Sequence, residues 1–173
     1  MTSARRFNVA WISALALFLV VSLSDLQTAS AATNVSSMSL VSINVSGNSC
    51  YWNQSQGIHP ASNGSNVDYK TFVYKRVRST TFGCVSTASL LTFFNSELTL
   101  RAQLFRVFDY TVCSSTGYFA TPNGWSGGFG VGRTWNKPSS GSCAATQTFQ
   151  VQGDGLVSGA SSFYGPLTTV FTL

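Results

Sequence analysis

Hydrophobic and polar residues alternate with period two along much of this chain. The clearest case is "LTLRAQLFRVFDYTVC", residues 98–113. Its even positions are Leu98, Leu100, Ala102, Leu104, Arg106, Phe108, Tyr110 and Val112, and all but Arg106 are apolar. Successive side chains of a strand point to opposite faces, so this pattern predicts one long strand with a bend or bulge near Arg106. Leu91, Phe94, Leu98, Phe105 and Phe108 also recur at helical intervals, but the period-two count and the β-branched content favour a strand. "SMSLVSINVSG" predicts an initial strand with Val41, Ile43 and Val45 turned inward. "GGFGVGRTW" reads as a glycine-rich strand with Phe129, Val131 and Arg133 on one parity, and "LTTVFTL" as a closing strand. "TQTFQVQGDGLVSG" alternates through Phe149 and Val151 and then meets "GDG", read as a turn or bulge. Residues 53–66, rich in Gly, Asn, Ser and Pro, read as a long loop. Strands separated by turn-rich segments predict an all-β chain folded as a single antiparallel β-sandwich, immunoglobulin-like or similar.

The first 32 residues fall outside that pattern. Arg5 and Arg6 precede an apolar run at 9–23, and Ala29-Ser30-Ala31 supplies an A-x-A ending. This is the layout of a secretory signal peptide cut after Ala31 or Ala32, and the run is short for a membrane span of about 20 residues. No transmembrane segment is expected after cleavage. Residues 33–173 are then the one folded domain, with eight basic and four acidic side chains, a net charge of +4. Charged residues are only 9% of the chain, against about 25% in ordinary soluble proteins. With 44% hydrophobic and 13% aromatic residues, the chain has the means to bury a core.

All four cysteines, Cys50, Cys84, Cys113 and Cys143, follow the leader. An even count in an exported chain predicts two disulfides and an extracellular location. Four cysteines allow three pairings, between which the sequence does not choose. The working expectation is Cys50 with Cys84 and Cys113 with Cys143. No C-x-x-C occurs and His59 is the only histidine, so neither a metal site nor a cofactor is expected.

A basic, aromatic strand running into "RSTTFGC", then the long amphipathic strand, then "GSCAATQTFQVQGDG" and an alternating end, resembles a loose set of small exported actinobacterial β-proteins. The resemblance spans about residues 69–173. Many members of that set end in a further cysteine, where this chain ends "VFTL". The resemblance implies the β-sandwich fold and export, and implies no activity.

Candidate chemistry is sparse. His59 reads as an exposed loop residue, Asp109 as solvent-facing, Glu97 as a turn residue after "FFNS", and Asp154 as a backbone-binding residue of the "GDG" turn. Hydrolysis would need an untemplated site, since no G-x-S-x-G elbow or evident carboxylate pair occurs. "GWSGGFGVG" lacks the Lys-Ser/Thr of a phosphate loop. Asn34, Asn44, Asn53 and Asn63 head N-x-S sequons, read here as Ser/Asn richness. Trp52, Trp125 and Trp135 are open to two readings, core packing beside a disulfide or a stacking platform for sugar rings.

The strongest signal is "YKTFVYKRVRST", residues 69–80. One parity carries Lys70, Phe72, Tyr74, Arg76 and Arg78, a solvent face of cations around aromatics, while Val73 and Val77 point to the core. Such a face suits an anionic polymer or lipid headgroup, or it serves as a charged guard against edge pairing. Nucleic acid is the least expected partner for an exported protein. The function classes left open are a non-catalytic binding domain for a cell-surface or anionic extracellular polymer, a secreted hydrolase, and a small toxin or inhibitor with a protein partner. The candidate binding residues are Lys70, Phe72, Tyr74, Arg76 and Arg78 together with Trp125 and Trp135.

Overall fold

The computed structural model describes residues 32–59, 66–144, 148–168 and 171–172. The leader expected at the N-terminus, apart from its last residue Ala32, and Asn63 lie outside them. The described chain is all-β, two antiparallel sheets packed face to face. The first sheet is built from β1 (Ala32–Val35), β2 (Ser39–Asn44), β3 (Ser49–His59), β4 (Asn66–Ser79), β5 (Gly83–Cys84) and β9 (Gly128–Asn136). The second holds β6 (Leu98–Arg106), β7 (Val112–Ser115), β8 (Phe119–Ala120), β10 (Thr148–Val157), β11 (Ser162–Tyr164) and β12 (Phe171–Thr172). In the first sheet β3 and β4 are central. In the second, β10 pairs with β6 over nine residues.

Period two accounts for the core. Val67, Tyr69 and Val73 of β4 face Leu98, Leu100, Ala102 and Leu104 of β6 and Phe149 and Val151 of β10, with Tyr51, Phe93 and Phe129 packed among them. Part of the interior is polar. Asn53 Nδ2 donates to Thr71 Oγ1 at 2.8 Å, and the backbone N–H of Gly153 crosses between sheets to Ser55 Oγ at 3.1 Å. A Cβ on Gly153 would stand 2.1 Å from Thr71 Oγ1, so glycine is what lets the sheets close over this polar seam. The disulfides join Cys50 to Cys84 and Cys113 to Cys143, as expected. They suit an oxidising compartment.

Five local expectations are corrected. Residues 53–59 are strand, not loop, because Asn53, Ser55 and Gly57 are buried in the polar seam and its continuation. In β2 only Val41 packs on the core. The register shifts between Leu40 and Ser42, and beyond that bulge Ile43 and Val45 are exposed. The strand of 98–113 stops at Arg106 and turns back through 107–111 into β7, with Tyr110 at φ 57°, leaving Phe108 89% exposed. "GDG" is no turn. Gly153, Asp154 and Gly155 run through the middle of β10. Residues 167–168 precede the closing strand, whose described part is Phe171–Thr172.

Candidate functional site

The outer face of the first sheet gathers the basic side chains that parity singled out. Lys70, Phe72, Tyr74, Arg76 and Arg78 lie on it in sequence along β4, while Val73 and Lys75 turn inward and are buried. The register with β9 places Lys70, Phe72 and Tyr74 opposite Gly132, Gly130 and Gly128. A Cβ on those glycines would stand 2.4 Å from Lys70 Cγ, 2.4 Å from the Phe72 ring and 2.5 Å from the Tyr74 ring. The three side chains therefore lie down over bare backbone, which is why this strand needs glycine at every second position. The Phe72 and Tyr74 rings are nearly parallel, 28° apart at 6.5 Å, and the Arg76 guanidinium sits 5.6 Å from the Tyr74 ring. The result is a ladder of cation, two rings and cation, with the rung spacing of alternate strand residues.

On the β3 side, Trp52 is the register partner of Tyr74, and Gln54 and Gln56 oppose Phe72 and Lys70. Trp52 Nε1 and Arg76 Nε are buried without an acceptor.

Charge is distributed unevenly. Glu97, Asp154 and Asp109 form ion pairs with Lys75, Arg101 and Arg106. Arg106 holds Asp109 well below the usual carboxylate range. Among the described residues Lys70, Arg76, Arg78, Arg133 and Lys137 have no carboxylate partner, and three of these five stand on the outer face of β4. The fourth carboxylate, Asp68, accepts from Thr134 Oγ1 at 2.5 Å.

Not all of the face is free. Arg76 Nη1 donates to Ala88 O at 2.5 Å and so also pins the loop after β5. Replacing Arg78 by serine should leave stability within about 0.5 kcal/mol of the parent. Arg76→Ser should cost about 1 to 2 kcal/mol, for a charged hydrogen bond and a ring contact. Thermal melts of the two variants check this, and equal behaviour would contradict the anchoring of Arg76.

The tryptophans separate. Trp135, inside β9, turns inward and meets Phe149 edge-on at 5.3 Å. Trp125 is exposed at the β9 entrance, where its Nε1 donates to Gly128 O at 3.2 Å. Neither joins the ladder. Trp52 does, although parity within residues 69–80 could not reveal it. His59 ends β3 half-buried. Asn53, one of the sequons, is fully buried.

Two constellations escaped the sequence. Glu97 follows a turn, as expected, but is buried. Lys75 Nζ lies 2.7 Å from its Oε1 and 2.9 Å from its Oε2, Phe94 N donates to Oε2 at 2.7 Å, and Tyr51 donates its hydroxyl to Oε1. Burial, then the bond to Glu97, pushes the Tyr51 hydroxyl up to about 12. Burial raises Glu97, but the hydrogen bonds from Lys75, Tyr51 and Phe94 outweigh it and hold the carboxyl below its ordinary value. The second constellation is Arg101, Asp154 and Tyr118 on the outer face of the second sheet.

Among known proteins, no family model, no curated protein and no solved structure matches this chain.

Proposed function

We propose that this chain is a secreted, non-catalytic binding domain that grips an anionic polymer of a cell surface or matrix on the outer face of its first sheet. The observation that carries the reading is the Lys70–Phe72–Tyr74–Arg76 ladder laid over the Gly132, Gly130 and Gly128 backbone. The ladder is extended along one strand, a shape that suits a polymer. Its cations draw in acidic groups and its rings offer flat apolar contact. The hydrolase alternative has less behind it, because three of the four described carboxylates are already held by cations. Export rests on the leader pattern and on the two disulfides.

The test is co-sedimentation of the secreted protein with cell walls, an insoluble polyuronate and phosphatidylglycerol vesicles. Each would be run at about 0.01 M and about 1 M salt, where screening lengths are about 30 Å and 3 Å. Binding to an acidic polymer at low salt should weaken at least about tenfold at high salt. It should weaken by a similar factor in Lys70→Glu/Arg78→Glu, with an unchanged melt. Absence of binding to every acidic surface at low salt would refute the reading. Binding to vesicles alone would move the ligand class to lipid headgroups.

A further inference from the structure

We infer a second ligand site, on the outer face of the second sheet, built to take an uncharged sugar ring of a neutral polysaccharide. Arg101 of β6, Asp154 of β10 and Tyr164 of β11 are register partners, so their side chains form one row across three strands. The adjoining row is Thr99, Leu156 and Ser162. Between the rows and the incoming Tyr118 lies a cleft of about 440 Å³. Ordinary small-molecule sites span about 300 to 1,000 Å³.

The polar floor is fixed. Arg101 donates from Nε to Asp154 Oδ1 and from Nη2 to Oδ2, both at 2.9 Å. Tyr118 donates its hydroxyl to Oδ2 at 2.5 Å and lays its ring over the Arg101 guanidinium, 4.5 Å from the centroid. Oδ2 thus holds two donors and Oδ1 one, which leaves Oδ1 an open lone pair. The Asp154 carboxylate is held from three directions before any ligand arrives, so little ordering remains to be done on binding.

The rim is aromatic and wet. Tyr118 is 56% exposed and Tyr164 is 73% exposed. Burial in the core does not account for Tyr164, whose ring stands in solvent beside a part-buried ion pair. Tyrosine is a rigid, amphipathic contact with little side-chain entropy to lose, the common choice for recognition surfaces.

The chemistry of the lining selects the ligand. Asp154 is the one charged side chain among the residues that line the cleft, and Arg101 beside it neutralises its charge. An ion of either sign would therefore lose water without gaining a counter-charge. What the cleft offers is the carboxylate acceptor, the hydroxyls of Thr99, Ser162 and Tyr164, the apolar side of Leu156 and the tyrosine rings. A pyranose matches all of these, with hydroxyl donors around its edge and C–H groups on its faces. The site does not depend on the basic ladder, which belongs to the other sheet.

The experiment is retention of the protein on cellulose, chitin, β-1,3-glucan and amylose particles at about 1 M salt, where screening within about 3 Å silences the ladder. The protein should be retained on at least one of the four. Tyr164→Ala should weaken that binding about tenfold or more, and Tyr118→Phe, which keeps the ring and removes the donor to Asp154, by a smaller factor. Lys70→Glu should leave it unchanged. Matching melts would show that the exposed Tyr164 is not needed for folding. Retention on none of the four, or equal binding by Tyr164→Ala, would overturn the inference. Loss of salt-sensitive binding in the Lys70 variant bears only on the first sheet.

Discussion

Lys75→Met should destabilise the folded chain by about 3 to 5 kcal/mol, because it leaves Glu97 buried without its counter-ion. The pair lies between sheets, with side chains only 6% and 10% exposed. Lys75 also donates to Thr92 O at 3.0 Å, so it ties the loop before β6 to the centre of β4. Adding Glu97→Gln to Lys75→Met should recover most of the loss. It removes the orphaned charge and keeps one carbonyl acceptor, for Phe94 N, with the amide NH2 turned to donate to the Tyr51 hydroxyl oxygen. Urea titrations of the parent, the single and the double variant measure this.

The pH dependence gives a second readout. In the parent, Glu97 titrates lower when folded, so its contribution is present above the ordinary value of 4.5 and is lost as pH falls through the folded one. Tyr51 titrates higher when folded. Its contribution is intact below 10.0 and is lost as pH rises toward about 12. In Lys75→Met the acid limb should invert. Protonating an unpaired, buried Glu97 relieves it, so the variant should gain stability between neutral pH and pH 5. A variant that loses stability in parallel with the parent on acidification would show that Glu97 finds another cation.

Cys50→Ala/Cys84→Ala should cost nearly as much, about 4 kcal/mol, from the entropy regained by a loop of 34 residues in the unfolded chain. The folded side gives little compensation. β5 is two residues long and holds to β4 only through Arg78↔Cys84 and Ser79↔Gly83. Without the bridge this edge should fray, and with it the loop that Arg76 pins through Ala88 O. Domains of this size have about 5 to 15 kcal/mol in total. The double variant should therefore unfold at a clearly lower urea midpoint, with amide exchange fastest around residues 80–90. A loss below about 1 kcal/mol would mean that the unfolded chain is already compact there.

These effects bear on what could be read from the chain alone. Alternation was sufficient for β4, for β6 and for the first half of β10, where one parity is largely apolar and the other polar. It failed for β3 because both parities are polar. Asn53 and Ser55 are buried for their hydrogen bonds and not for their hydrophobicity, and composition cannot tell such a strand from a loop. It failed for Asp154 because glycines on either side suggest a turn, whereas they are there to admit Thr71 and the Thr99 carbonyl. For the ladder, parity was enough to group its cations and rings. The reason for Gly128, Gly130 and Gly132 needed the register with β9, and Trp52 needed the register with β3. Pairs such as Lys75 with Glu97 and Arg101 with Asp154 lie 22 and 53 residues apart and leave no local pattern.

The two disulfides also set how the domain answers a mechanical load. A pull along the chain travels through the S–S bonds and bypasses the segments they close, of 34 and 30 residues. At about 3.4 Å per extended residue, some 200 Å of contour is withheld from stretching. A tether made from this domain would be short and stiff even after its sheets had parted, and only a reductant would release the remaining length.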